Sequence, residues 1–181
     1  MTCIYIWYQI KIYMDKNSAV NILKEAILLE RRGKAFYSNA ASTTKSEAAR
    51  EIFTMMSEEE DEHIKYLSNQ FAHYVKTDEF LAPEPPKYDD HEAIAIKVLS
   101  EDFKKQVDAA SYEAAAIAAA MDFELRAVKV YSDRAAASTD PKEKELYRIL
   151  ADWEKGHHEL LKRLNDELKE QIWNDSQFWP Y

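Results

Sequence analysis

Glycine is almost missing from this 181-residue chain, which has only two. With so few, with almost no β-branched runs and with abundant Ala, Glu, Lys and Leu, the composition predicts an all-helical protein. Cysteine is scarcer still. Cys3 stands alone, which excludes a disulfide framework and any Cys-x-x-Cys pair for iron–sulfur or zinc, and fits a reducing, cytoplasmic setting. Basic residues are outnumbered: 24 Lys and Arg against 33 Asp and Glu leave a net charge of −9. That balance argues against nucleic acid and against an anionic membrane surface as partners. The apolar, aromatic stretch from Met1 to Met14 is shorter than the roughly 20 residues a bilayer requires. It also lacks the basic start and cleavage site of a signal peptide.

What the chain does contain is a constellation that occurs twice. Glu30, Tyr37, Glu60 and His63 are followed by Glu124, Tyr131, Glu154 and His157, and 124−30, 131−37, 154−60 and 157−63 all give 94. A lone Glu-x-x-His is weak evidence, because charged residues abound on helices. A duplicated Glu…Glu-x-x-His at constant spacing is the ligand set with which a four-helix bundle holds two metal ions.

The length suits one domain with a substantial core. Residues 1–14 stand apart as an extension, and 15–181 form the bundle. Three readings of the extension remain open: a start assigned upstream of Met14, an arm packing on a partner, or a segment skimming a membrane. Helix 1 is expected to begin at the cap residues Asn17 or Ser18 and to end near Ala41. Thr44-Lys45-Ser46-Glu47 reads as a capping box opening a second helix that runs to about Lys76. Pro83, Pro85 and Pro86 make residues 77–90 a long connection. One or two short helices are expected over 91–107, with Ser100 as a cap. Helix 3 is expected from Asp108 or Ser111 to Ala137. Helix 4 follows from Asp140 and Pro141 to about Trp173, ahead of an irregular tail with Phe178, Trp179 and Pro180. Two short-looped helix pairs joined by one long crossover give the connectivity of a ferritin-like four-helix bundle, here built from two helix-pair repeats.

Helical periodicity places each glutamate in the middle of an apolar stripe. Glu30 shares its face with Leu23, Ala26, Gly33 and Tyr37, and Glu60 with Phe53, Met56, His63 and Leu67. Glu124 shares its face with Ile117, Ala120, Ala127 and Tyr131, and Glu154 with Tyr147, Leu150, Ala151 and His157. Four inward carboxylates without a cation would cost several kcal/mol each or take up protons. Lys34 is the one basic residue on these faces. Two divalent metals offset four carboxylates, with both imidazoles neutral. Glu30, Glu60, His63, Glu124, Glu154 and His157 are the expected ligands, and this donor set suits iron, with manganese or a mixed pair as the alternative. Glu60 and Glu154 are expected to bridge. Glu30 and Glu124 cap one metal each, or one of them bridges.

Tyr37 and Tyr131 either hydrogen-bond a ligand carboxylate and orient it, or are ordinary core tyrosines. Gly33 and Ala127 either leave space beside the metals or let the helices approach closely. Glu58, Glu59, Asp61 and Glu62 read as a solvated face, and His73 and His91 as surface residues. His158 competes with His157 as a ligand, and the 94-residue match favours His157. Trp153 is expected to wall off one side of the site.

These motifs, Glu30-Arg-Arg-Gly-Lys-Ala-Phe-Tyr37 with Glu59-Glu60-Asp-Glu-His63, then Glu124 with Tyr131 and Glu154 with His157, resemble the ferritin-like superfamily. They are most similar to its rubrerythrin-type members, over about Ser18 to Trp173. The resemblance implies a non-haem di-iron oxidoreductase that reduces hydrogen peroxide or dioxygen, and a homodimer. The alternatives are a ferroxidase that consumes Fe(II), or a metal-binding bundle without turnover. Two departures stand out. Rubrerythrins proper carry a four-cysteine rubredoxin module that this sequence cannot form, so electrons are expected from a separate donor protein. Many members also have a further glutamate three residues after the helix-3 ligand, where this chain has Ala127.

Overall fold

The computed structural model describes residues 2–84, 107 and 111–174, with side chains over 19–84, 107 and 111–170. Four helices make up the described residues: α1 (Thr2–Thr43), α2 (Glu47–Thr77), α3 (Tyr112–Ala137) and α4 (Pro141–Asn174). The expected short helices of 91–107, the contacts of the first 14 residues and the packing of the C-terminal tail lie outside the described residues. No described helix is long and apolar enough to cross a membrane.

Two boundaries differ from the sequence expectation. The backbone of α1 is helical from Thr2, so Asn17 and Ser18 do not start it. A cap residue opens a helix only where the preceding chain leaves the helical conformation, and here it does not. The turn before α2 is shifted by two residues. Ser46 is the N-cap, its hydroxyl accepting from the amide of Ala49. Thr44 instead accepts from the Ser46 amide and donates its own hydroxyl to Glu113 in the first turn of α3. A three-residue corner between helices thus also ties the first hairpin to the second.

The other ends follow local chemistry. Ser111 caps α3 through the Ala114 amide. The Asp140 carboxylate accepts from the amides of Lys142 and Glu143 ahead of α4. Helix α2 stops at Asp78, which adopts the left-handed φ of 60° and returns its amide to the Tyr74 carbonyl, the usual device for closing a helix end. The crossover then leaves along α2: Gln70 accepts from the Leu81 amide at 3.0 Å, and Phe80 is buried against the Tyr74 ring.

Packing is closest within the hairpins α1–α2 and α3–α4, while α1 and α3 approach at fewer places. The buried apolar residues form two clusters. One includes Tyr37, Phe53, Met56, Ile117 and Leu161; the other includes Leu23, Leu67, Tyr131, Tyr147 and Leu150. Adding 94 to a member of one cluster leads to the other: Phe53 to Tyr147, Met56 to Leu150, Leu23 to Ile117, Leu67 to Leu161. The repeat therefore exchanges the two halves of the core, as a local two-fold axis would.

Replacing Ser111 by Ala removes a cap at the start of a site-bearing helix and is expected to cost about 1 kcal/mol. Urea denaturation measures this; an unchanged midpoint would show that the cap does not stabilise α3.

Candidate metal centre

Between the two apolar clusters lies a polar layer. Helix α1 contributes Glu30, α2 contributes Glu60 and His63, α3 contributes Glu124, and α4 contributes Glu154 and His157, all of them buried. They form two groups able to hold a metal ion: Glu30, Glu60, His63 and Glu154, and Glu60, Glu124, Glu154 and His157, with the ligand atoms of each group within 4.8 Å of one another. Glu60 and Glu154 belong to both groups. All six residues singled out by the repeat converge, and the shared pair is the pair expected to bridge.

Both imidazoles turn Nδ1 toward the carboxylates. His63 Nδ1 is 3.0 Å from Glu154 and 3.1 Å from Glu30, while His157 Nδ1 is 3.6 Å from Glu154 and 3.7 Å from Glu124. The two rings lie nearly parallel, with centroids 5.2 Å apart. Both carboxylate oxygens of Glu60, Oε2 of Glu124 and Nδ1 of His157 are buried without a hydrogen-bond partner. Buried polar atoms are seldom left so. Among the described residues no lysine or arginine pairs with the four glutamates. Lys34 turns instead to Asp61, in a half-exposed pair. Inward-facing, unsatisfied oxygen and nitrogen donors of this kind fit two divalent cations.

Without metal, protons supply the counter-charge. Burial opposes the charge on His63 and His157, yet the surrounding carboxylates outweigh it and hold both imidazoles well above their usual value. Burial, reinforced by the negative charge of Glu154, raises Glu60 and lifts Glu124 to about 8. Glu154 goes the other way: burial alone would raise it, but the His63 charge and the two imidazoles that face it keep it well below the usual carboxylate value.

Each tyrosine crosses to the other hairpin. Tyr37 on α1 donates its hydroxyl to Glu124 on α3, and Tyr131 on α3 donates to Glu30 on α1. Burial first, then the adjacent carboxylate, pushes both phenols well above their normal range, so each keeps its proton and serves as a fixed donor. Behind them the rings repeat with one change: Tyr37 stacks on Phe53 at 6.4 Å, and Tyr131 on Tyr147 at 6.0 Å.

Gly33 resolves in favour of close approach. A Cβ there would lie 2.9 Å from Glu60 Oε1 and 3.0 Å from the Phe123 ring, so the Glu60 carboxylate already occupies that space. Trp153 covers one flank as expected, its indole stacked on His63 at 4.8 Å. His158 is half-buried and belongs to neither group. His73 is half-buried rather than fully exposed.

Glu59 is the residue beside the six whose place the sequence pattern does not reveal. The charge run around it reads as a solvated face, yet Glu59 is 12% exposed and accepts from His157 Nε2 at 2.7 Å. Helix α4 covers that flank of α2, which periodicity along α2 alone does not reveal. The usable signal was adjacency to a ligand glutamate that faces a histidine on another helix.

Two outcomes follow. Gly33→Ala should leave helical content intact but displace the Glu60 carboxylate and lower metal uptake, read by metal analysis after dialysis; full uptake would mean that Glu60 tolerates the shift. For the metal-free protein, Glu124 carries a folded-state value of about 8 against an ordinary 4.5, and both imidazoles are also raised. The folded state thus binds more protons than the unfolded chain, so stability should fall as pH rises through about 8. Melting curves of chelator-treated protein from about pH 6 to 9 should show a declining Tm, and bound metal should flatten the decline.

A family model described as Rubrerythrin matches residues 21–165. Comparison with curated proteins and with solved structures gave no match. The matched span contains all six convergent residues and both tyrosines, and the chain belongs to the rubrerythrin family.

Proposed function

We propose that this protein is a non-haem di-iron oxidoreductase that reduces hydrogen peroxide, or dioxygen, with electrons from a separate donor protein. The supporting observation is the pair of three-carboxylate, one-imidazole groups that share Glu60 and Glu154 inside a closed bundle. Glu30 and His63 would complete one position and Glu124 and His157 the other. Four carboxylates against two divalent cations leave the buried layer neutral. Iron fits the oxygen-and-imidazole donors, and manganese shares the preference. Bound there, two ferrous ions would supply the two electrons that, with two protons, cleave the O–O bond of peroxide and release two waters.

The protein's own residues do the rest. Tyr37 and Tyr131 hold Glu124 and Glu30 in one orientation and keep their phenolic protons at Oη. The apolar clusters on either side keep bulk water from the layer, which strengthens every charge interaction within it. A groove of about 480 Å³ between α1 and α3, bordered by Ala26, Leu29 and Val130, reaches Tyr131, one hydrogen bond from Glu30. It offers a small oxidant an approach. The chain's single cysteine rules out a four-cysteine electron-transfer module within this sequence.

Anaerobic loading with Fe(II) followed by stopped-flow mixing with peroxide tests the reading. The expected result is one peroxide consumed per two irons. Glu60→Ala and Glu154→Ala should each lose iron and slow the oxidation by orders of magnitude while the helices remain. Tyr37→Phe should keep the iron and slow turnover only modestly. Bound iron that peroxide does not oxidise, or Glu→Ala variants with full iron and full turnover, would overturn the assignment.

A further inference from the structure

Most of the site obeys the 94-residue repeat, but the residues behind its two histidines do not. Position 59 carries a glutamate, and its counterpart, 153, carries a tryptophan. On one side the Nε2–H of His157 is donated to Glu59 at 2.7 Å. On the other the imidazole of His63 lies flat on the Trp153 indole, with centroids 4.8 Å apart and planes 13° apart, and Tyr66 closes edge-on against that indole at 5.2 Å.

We propose, building on the metal-binding reading above, that the two metal positions are inequivalent and that Glu59 makes the position served by His157 the tighter one. Glu59 acts as a positioning residue in two ways. It fixes the His157 tautomer, because a proton held at Nε2 leaves Nδ1, the atom that faces Glu60, Glu124 and Glu154, free to donate its lone pair. It also places a carboxylate behind the ring, and a carboxylate hydrogen-bonded to the outer ring nitrogen strengthens the imidazole as a ligand. Glu59 is largely shielded, with 12% of its side chain exposed, so solvent screens that charge only in part. An indole N–H can donate but not accept. Trp153 therefore brings to its position a flat apolar cover where Glu59 brings charge.

The pairing also says which ligand belongs to which step. Glu124 occurs only in the group with His157, and Glu30 only in the group with His63. A first metal should settle with Glu124 and His157, and a second with Glu30 and His63.

Cobalt(II), which does not cycle under anaerobic conditions, is the probe. The chelator-stripped full-length protein is titrated by calorimetry and visible absorbance, with circular dichroism to confirm the helices of every variant. The wild type should bind two ions in two steps separated by at least about tenfold. Glu124→Ala should abolish the tighter step and Glu30→Ala the weaker. Glu59→Gln keeps an acceptor and removes the charge, and should weaken the tighter step by about 10- to 100-fold while sparing the other. Trp153→Glu should tighten the weaker step and bring the two together. Two equal steps in the wild type, or a Glu59→Gln titration that overlays it, would overturn the inference and leave the metal-binding reading intact. No cobalt uptake at all would sink both.

Discussion

Four glutamates buried at the middle of a helical bundle set the terms for everything else in this protein. Desolvating a carboxylate costs several kcal/mol unless a cation or proton accompanies it, and here Glu30, Glu60, Glu124 and Glu154 share one layer with no lysine or arginine paired to them among the described residues. Two apolar clusters hold that layer between them. The folded chain thus stores an electrostatic demand in its core. Burial and neighbouring carboxylates raise the proton affinity of Glu60 and Glu124, the carboxylates raise that of both imidazoles, and the same buried donors form groups able to hold a metal ion.

The hydrogen bonds of Tyr37 and Tyr131 show how the bundle keeps that layer in register. Each runs from one hairpin to a carboxylate of the other, across the seam where the backbones approach at fewer places. Packing within a hairpin is maintained by close helix contact. Between hairpins, directed hydrogen bonds to buried carboxyl groups take over part of that role. The same contacts that join the halves orient the outermost donors of each position, so assembly of the bundle and preorganisation of the site are one event.

Near-symmetry makes the departures from it informative. Phe53 against Tyr147, Gly33 against Ala127 and Glu59 against Trp153 break the repeat within one or two side chains of the carboxylates. Gly33 admits Glu60, whereas Ala127 packs into the apolar cluster around Tyr131. A duplicated helix pair needs only its ligands and core volumes to match. Positions that touch the six from behind are free to diverge, and here they give the two halves different surroundings.

A large part of this was legible in one dimension. The scarcity of glycine, the helical periodicity and the two short corners determined an all-helical chain of two pairs. The offset of 94 picked out six residues that the fold does bring together, because ligands on the buried face of a helix must obey its period. Local signals were less reliable at the ends of elements. Asn17 and Ser18 are good caps that the helix runs through, and Thr44 caps nothing but reaches Glu113, since a hydroxyl bonds whichever neighbour the tertiary structure supplies. Only the assembled bundle decided which carboxylate each tyrosine would meet, that Gly33 is small to admit Glu60, and that Glu59 sits behind His157. Periodicity tells which way a side chain leaves its own helix. What waits on the other side depends on the rotation and depth of a different helix, and no residue of the first one encodes that.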